Sequence, residues 1–380
     1  MLLYPNSKAW LRTVSIMLRF SGSEQFRQRL VYSTLAGRAI RIDDIRSRDE
    51  NPGLRDFEAS FLRLLEKVTN GCIVEINETG TSLRYKPGFV HNGAGLTHDC
   101  GTSRGIGYYL EPLVILALFG KKPLSITLHG ITNDDIDPGV DVWRTVTLPL
   151  LRKLTGSENQ FELKVLKRGT RPRGGGEIFL QIPIINKLPP ISMLDEGMVK
   201  RIRGVAYSMR VSPQISNRVV DGARGLMNQL LADVYIFTDH MSGLEAGGSP
   251  GYGLALVAET TAGRMLSAEC STHALGEAEV MEAIPEDLGR RTAAALLEEI
   301  HRGGVVDGGH QGLVLTLCAL GPEEINEIRL GPLTPYAVRT LRNLKEFFSV
   351  QFQIKPEASS QTIFLSCIGA GLKNISKKIN

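Results

Sequence analysis

A chain of 380 residues, 42% hydrophobic and 22% charged, has ordinary globular composition and is long enough for two domains or for one core with an insertion. Forty-four Lys and Arg against forty Asp and Glu give a net charge of +4, too small an excess to argue for nucleic acid unless local clusters support it. No apolar run approaches the ~18 residues of a membrane span, and five scattered cysteines without a CxxC pair speak against a zinc site or a disulfide framework. The expectation is a soluble protein with reduced thiols, no metal, no cofactor and no membrane partner.

Residues 1–16, MLLYPNSKAWLRTVSI, carry Lys8 and Arg12 and no acid. They read as an upstream extension of the reading frame, with an organelle transit peptide as the alternative. From the strand Met17 to Phe20 onward, three segments share one grammar of helix, strand, proline-marked turn, helix and two strands. The first predicts a helix over Phe26 to Leu35, a strand over Ala39 to Ile45, a helix from Leu54 to Val68 opened by Asn51-Pro52-Gly53, and strands Cys72 to Asn77 and Thr81 to Tyr85. The second predicts helices Ile106 to Phe119 and Val140 to Leu154, with strands Leu124 to His129, Phe161 to Leu166 and Glu177 to Ile182. The third predicts helices Gly312 to Leu320 and Tyr336 to Phe348, with strands Ile325 to Leu330, Val350 to Ile354 and Thr362 to Cys367. Between the second and third lies a block of different texture, opened by Leu188-Pro189-Pro190, with strands Gly204 to Arg210, Val234 to Phe237 and Tyr252 to Thr261 and a helix Pro213 to Leu231. Its glycine-rich loop Met241 to Gly253 reads as a mobile connection, either a lid or a linker. The divisions expected are 1–16, a core over 17–187, an inserted module over 188–288, and the rest of the core over 289–380.

The densest motif is Arg168 to Ile178, RGTRPRGGGEI, between two strands. Glycine allows close backbone approach and arginine forks suit phosphate, so Arg168, Arg171, Arg173, Gly174 and Gly175 are candidates for an anion or RNA site, the bland alternative being a basic surface hairpin. Arg-Gly-x-x-Pro-x-Gly-Gly-Gly-x-Ile resembles the signature of the RNA 3′-terminal phosphate cyclase family. His98-Asp99-Cys100-Gly101, Arg104-Gly105-Ile106-Gly107-Tyr108, Asp137-Pro138-Gly139-Val140-Asp141 and Gly251-Tyr252-Gly253-Leu254 look like further landmarks of it. The resemblance implies an α+β fold of three βαβαββ-type repeats, each like the C-terminal domain of translation initiation factor three, with an inserted thioredoxin-like module.

Cyclases use ATP to adenylate a histidine in a His-x-x-Asp-Gln motif. Aligning its Gln with Gln311 puts Asp307 at the nucleophile position and His310 at the Asp position. A carboxylate gives a labile mixed anhydride where imidazole gives a phosphoramidate. The family's Glu-Gly-Gly-Gly-Gln is replaced by Phe20 to Glu24, its Ile-Arg-x-x-Arg by Ile45-Arg46-Ser47-Arg48-Asp49, and its Gln-His after Pro-Gly-Leu by Phe57-Glu58. Departures at one site together point to the non-cyclase branch of the family. That branch implies a non-enzymatic factor of small ribosomal subunit assembly in the nucleolus, acting in early precursor rRNA processing. Its implied partners are a ribosome-assembly GTPase, precursor rRNA and the small-subunit precursor particle. Arg27, Arg46 and Arg48 would join the arginines of the signature in the former active-site cleft, or pair with nearby acids such as Asp43, Asp44, Asp49 and Asp56. An endoribonuclease is the alternative, with Arg342 and Lys345 one turn apart as cation candidates and no base beside them. Residual cyclase activity through Asp307 or His310 ranks third.

Overall fold

Alternation of apolar and charged residues builds the first sheet. Ile40 and Ile42 of β2 (Ile40–Asp43) are buried while Arg41 faces out, and β1 (Leu18–Ser21) lies parallel beside it. Between them, α1 (Phe26–Ala36) stops at Gly37, whose left-handed φ of 64° lets its N–H reach the Ser33 and Thr34 carbonyls. The next helix, α2 (Asp56–Val68), begins two residues later than expected. Arg55 stays extended and its N–H donates to Glu58 Oε2 at 2.9 Å, closing the helix start. β3 (Thr69–Asn70) pairs with β6 (Phe89–Val90), while β4 (Ile73–Ile76) and β5 (Leu83–Lys86) complete the order β1-β2-β5-β4.

The second sheet follows the same course: β7 (Leu96–Asp99), α3 (Gly107–Leu118), β8 (Leu124–Gly130), a long helical stretch, β9 (Glu162–Lys167) and β10 (Gly176–Ile182), in the order β7-β8-β10-β9. The helix expected unbroken from Val140 to Leu154 is instead α4 (Val140–Val142), a π turn (Trp143–Thr147) and α5 (Leu148–Thr155). Pro149 explains it: proline offers no N–H to the carbonyl four residues back and its ring crowds that carbonyl, which a widened turn accommodates.

The third sheet takes its first strand, β11 (Ser192–Met193), from before the insertion. The insertion comprises β12 (Val199–Met209), α6 (Gln214–Met227), β13 (Val234–Met241), β14 (Gly251–Thr260), β15 (Met265–Ser271) and α7 (Pro285–Arg302), with sheet order β13-β12-β14-β15. Then come α8 (Gln311–Leu320), β16 (Ile325–Leu330), α9 (Pro335–Phe348), β17 (Gln353–Glu357) and β18 (Thr362–Ile368), giving β11-β16-β18-β17. In all three core sheets the first two strands are parallel and the rest antiparallel. Helices α1, α3, α8 and α9 meet between the sheets in one apolar core, leaving each sheet's other face outward. The computed structural model describes residues 17–157, 161–272 and 284–374, so the extension expected over 1–16 lies outside them.

Two expected boundaries move. Leu188, Ile191 and Met193 are buried in the main core and β11 pairs with β16, so the chain is still part of the third sheet after residue 188. At the other end, residue 288 falls inside α7, whose Leu288, Ala293 and Leu296 join the insertion's own core. α6 and α7 touch backbone to backbone: a Cβ on Gly222 would lie 2.2 Å from the Glu286 carbonyl oxygen, and one on Gly289 2.1 Å from that of Val219. Both helices therefore belong to the insertion. Among the described residues no helix is long and apolar enough to cross a membrane, and no group of His, Cys, Asp and Glu is placed to hold a metal ion.

Candidate functional site

A chamber of about 250 Å³ opens between the first and second core units and α9 of the third, lined by Ser23, Gln25, Arg27, Arg46, Phe57, Glu58, Arg104, Tyr108 and Tyr336. Its cations are held by local chemistry. Pro112 inside α3 has no N–H for the Tyr108 carbonyl, and Arg27 Nη1 donates to that oxygen instead, with its guanidinium 4.0 Å above the Tyr108 ring. Arg27 has no carboxylate partner among the described residues. Arg46 grips buried Glu58 with both Nη atoms, at 2.7 and 2.8 Å. Arg104 Nε donates to Asp137 at 2.7 Å while its guanidinium lies 4.6 Å from the Tyr108 ring, sharing that ring with Arg27. The acids that neutralise the arginines are thus not the Asp43, Asp44, Asp49 and Asp56 expected from sequence proximity. Asp137 accepts Gly105 N (3.0 Å) and donates its own N–H to Asp134 (2.8 Å), which faces Arg171 at 3.4 Å. A continuous chain of charges therefore links the chamber to the glycine-arginine loop. Arg104 was not among the residues expected to bind. The signal lay in two landmark motifs, one supplying an arginine and the other an aspartate.

Within the loop the arginines separate. Arg168 is fully buried, not a ligand-facing cation. Its donors go to Asp141 (2.8 and 2.9 Å), Asp239 (3.0 and 2.7 Å) and Asn133 (3.2 Å), and its guanidinium stacks 4.8 Å from the Tyr207 ring. A guanidinium has five N–H groups, so nothing remains for a phosphate. Burial opposes the charge, yet the two carboxylates hold it on, and Arg168 in turn holds buried Asp141 below the usual carboxylate range. Arg171 is partly exposed and also donates to the Ser103 carbonyl at 2.8 Å. Arg173 is exposed, as is Arg48, and neither has a carboxylate partner among the described residues.

The glycines serve packing between chain segments. Gly247 N donates to the Arg168 carbonyl (2.6 Å) and Gly248 N to that of Gly174 (3.1 Å), and a Cβ on Gly247 would sit 2.1 Å from the Gly174 oxygen. The loop expected to be mobile is docked on the signature. Buried Gly174 and exposed Gly175 have φ of 56° and 80°, the left-handed turn that aims the loop at the insertion.

Asp307 and His310 border a second cavity of about 190 Å³, with Glu111, Pro138, Trp143, Glu269 and Glu299. Asp307 Oδ2 accepts Ser267 N (2.8 Å) and Oγ (2.7 Å), and Oδ1 accepts His310 Nδ1 (2.6 Å) and N (3.1 Å). His310 Nε2 lies 2.8 Å from Thr147 Oγ1, so the histidine is buried and bonded at both nitrogens. Burial works against both charges, but each partner stabilises the other: Asp307 stays below its ordinary value and His310 above its own. The pair ties β15 of the insertion to the third and second core units. Glu269, partly buried beside the second cavity, accepts Gly139 N at 2.7 Å and is pushed up to about 8 by the loss of water around it, the Gly139 hydrogen bond opposing the shift.

Arg342 and Lys345 lie on the exposed side of α9, away from both chambers, with no acid or imidazole bonded to them among the described residues. Asn343 between them is buried, its Nδ2 donating to Gln28 Oε1 at 2.7 Å.

The family pattern of the RNA 3′-terminal phosphate cyclases matches residues 18–354, and the chain belongs to that family. Within it, the chain is 52% identical over 369 residues to a probable RNA 3′-terminal phosphate cyclase-like protein of Dictyostelium discoideum, covering 95% of this chain and 99% of that one. It is 50% identical over 375 residues to the human RNA 3′-terminal phosphate cyclase-like protein, covering 97% and 100%. It is also similar to the rRNA processing protein rcl1 of Schizosaccharomyces pombe, 46% identical over 364 residues, covering 95% and 98%.

Proposed function

We propose that the chain is a non-catalytic, cyclase-like scaffold of small ribosomal subunit biogenesis, required for early precursor rRNA processing in the nucleolus and binding a ribosome-assembly GTPase and RNA. The observation that carries the loss of catalysis is the bonding of Asp307. Both oxygens of this carboxylate accept two hydrogen bonds, from His310 and Ser267, and a nucleophile needs a free lone pair aimed at its substrate. The printed name of the fission-yeast relative supports the RNA-processing part. The common order of the three core sheets supports reading them as copies of one βαβαββ unit similar to the C-terminal domain of translation initiation factor three, with the insertion as a thioredoxin-like module. Arg27, Arg46 and Arg104 of the chamber, with Arg48, Arg171 and Arg173 at its approaches and Gly174 and Gly175 shaping the loop, are the residues proposed to meet an anion there. Arg168 is excluded by its saturation.

The test is adenylation. Purified protein and its Asp307→His variant are incubated with α-labelled ATP and magnesium and run on a denaturing gel. The expected result is no label on the natural protein; label on it would overturn the non-catalytic reading.

A further inference from the structure

The second cavity gathers more negative charge than the chain around it balances. Glu111, Glu269, Glu299 and Asp307 all border it. Asp307 is paired with His310 at 2.6 Å, and Glu299 takes Arg302 at 2.8 Å and Gly308 N at 2.7 Å. The other two have no such partner. Glu111 accepts the Tyr336 hydroxyl at 3.0 and 3.1 Å and Glu269 accepts Gly139 N at 2.7 Å, and neither has a cation at ion-pair distance among the described residues. Loss of water and the charges of Asp141, Asp134 and Asp307 push Glu269 up to about 8, as expected of a carboxylate without a counter-ion.

An unsatisfied donor stands at the same place. Trp143 lines the cavity and is only 3% exposed, and its buried Nε1–H has no acceptor among the described residues. A buried indole N–H ordinarily finds a partner. Pro138, Val142 and Leu313 supply an apolar wall, and exposed Gly309 stands at the mouth. At about 190 Å³ the space is smaller than the ~300–1,000 Å³ of pockets that enclose a drug-sized ligand, so it admits one side-chain-sized group.

We infer that this cavity is a receptor for an arginine residue, either free or carried on a peptide segment. The guanidinium supplies the cation that Glu111 and Glu269 lack, the aliphatic stem lies on the apolar wall, and the main-chain carbonyl oxygen offers Trp143 Nε1 its acceptor. Guanidinium is favoured over ammonium because it is more weakly hydrated and stacks on an indole face. The charge is opposite in sign to that of the arginine-lined chamber, so the two cavities select different ligands, and the phosphates of a nucleotide are repelled here. The inference uses none of the arginines proposed to meet an anion and does not depend on the scaffold reading.

The test is isothermal titration calorimetry of the full-length protein with argininamide at pH 7. A ligand of about a dozen non-hydrogen atoms is expected to bind with a Kd of about 1 mM. Glu111→Gln and Glu269→Gln should each weaken it at least about tenfold, the loss of one charged partner. Glutamine keeps an acceptor for Tyr336 and for Gly139 N, and a urea midpoint no lower than the natural one verifies that each variant is folded. Trp143→Phe keeps a ring but removes the N–H, and should cancel the advantage of argininamide over methylguanidine, which has no carbonyl. A capped peptide with a central arginine that binds more tightly than argininamide identifies a peptide segment as the source, and one that binds more weakly identifies the free amino acid; both support the receptor. No binding of argininamide at about 10 mM, tenfold above the expected Kd, would overturn it. So would natural affinity in both glutamine variants, equal binding of lysinamide, or displacement of argininamide by AMP. Adenylation is read by label on a gel, so failure of the scaffold reading and failure of the receptor are seen in different measurements.

Discussion

Replacing Arg168 with alanine tests whether the signature arginine is structural. The side chain is completely buried, and all its donors end on Asp141, Asp239 and Asn133. Arg168→Ala leaves Asp141 buried and short of its main counterion. Removing one partner of a buried ion pair costs about 3–5 kcal/mol, because the remaining charge is stranded in a medium of low polarity. Two features place the loss near the lower bound: Arg144 still reaches Asp141 at 3.1 Å, and Asp239 is partly exposed and can rehydrate. The expected loss is therefore about 3 kcal/mol, a large share of an ordinary domain's stability. Urea unfolding at pH 7, followed through Trp143 at the start of the π turn, reads it. The pH dependence adds a sign. Asp141 sits below its ordinary value in the folded chain, so its contribution is complete above the unfolded carboxylate range, about 4, and disappears as pH falls through the lower folded value. The natural protein and the variant should therefore converge on acidification. A variant with the natural urea midpoint but without RNA binding would refute the reasoning and return Arg168 to the ligand site.

Glu269 gives the opposite pH sign. Its folded value of about 8 lies above that of an unfolded glutamate, so the folded state holds a proton that the unfolded state releases, and stability declines as pH rises from about 4 toward 8. Glu269→Gln keeps an acceptor for Gly139 N and should raise stability at pH 7 by an amount on the order of 2 kcal/mol, with the gain fading at pH 4; a loss at pH 7 would show that the carboxylate is ionised in the fold. Gly247→Ala pushes a methyl carbon against the Gly174 carbonyl and should cost about 1–3 kcal/mol. Limited proteolysis should then cut the 241–253 segment faster than in the natural protein, and unchanged cleavage would mean the seam yields without strain.

Local signals in the sequence were enough for the elements that have strong ones. Gly37 closing α1 follows from the chemistry of one residue and the opening of α9 from two, the Thr334 cap and Pro335, and the Ile325 to Leu330 strand ends where the alternation ends. Short or polar pieces were missed for a physical reason: β7 (Leu-Thr-His-Asp) and β11 (Ser-Met) have too few apolar positions to show a period and exist because a neighbouring strand offers a ladder edge. The π turn was hidden because helical periodicity continues through it and only Pro149 marks the strain.

The site was legible as residue types but not as partners. The glycines of the signature do permit close approach, as the sequence suggested, but what approaches is the Gly247–Gly248 backbone of the insertion. The same motif supplies a saturated Arg168 and an Arg173 with no carboxylate partner among the described residues, and no rule of spacing separates them, because the deciding partners, Asp141 and Asp239, lie 27 and 71 residues away. His310 shows the converse. A lone histidine beside a helix start carries no sequence signal of its partners, yet His310 is buried between Asp307 and Thr147, which come from different core units. On the proposed reading, the carboxylate at the family's nucleophile position also accepts the hydrogen bonds from Ser267 that tie the insertion to the core. If Asp307 is the replaced nucleophile that the proposed function takes it to be, the loss of adenylation chemistry and the attachment of the insertion share one carboxylate, and Asp307→His should weaken the Ser267 seam whether or not it restores any chemistry.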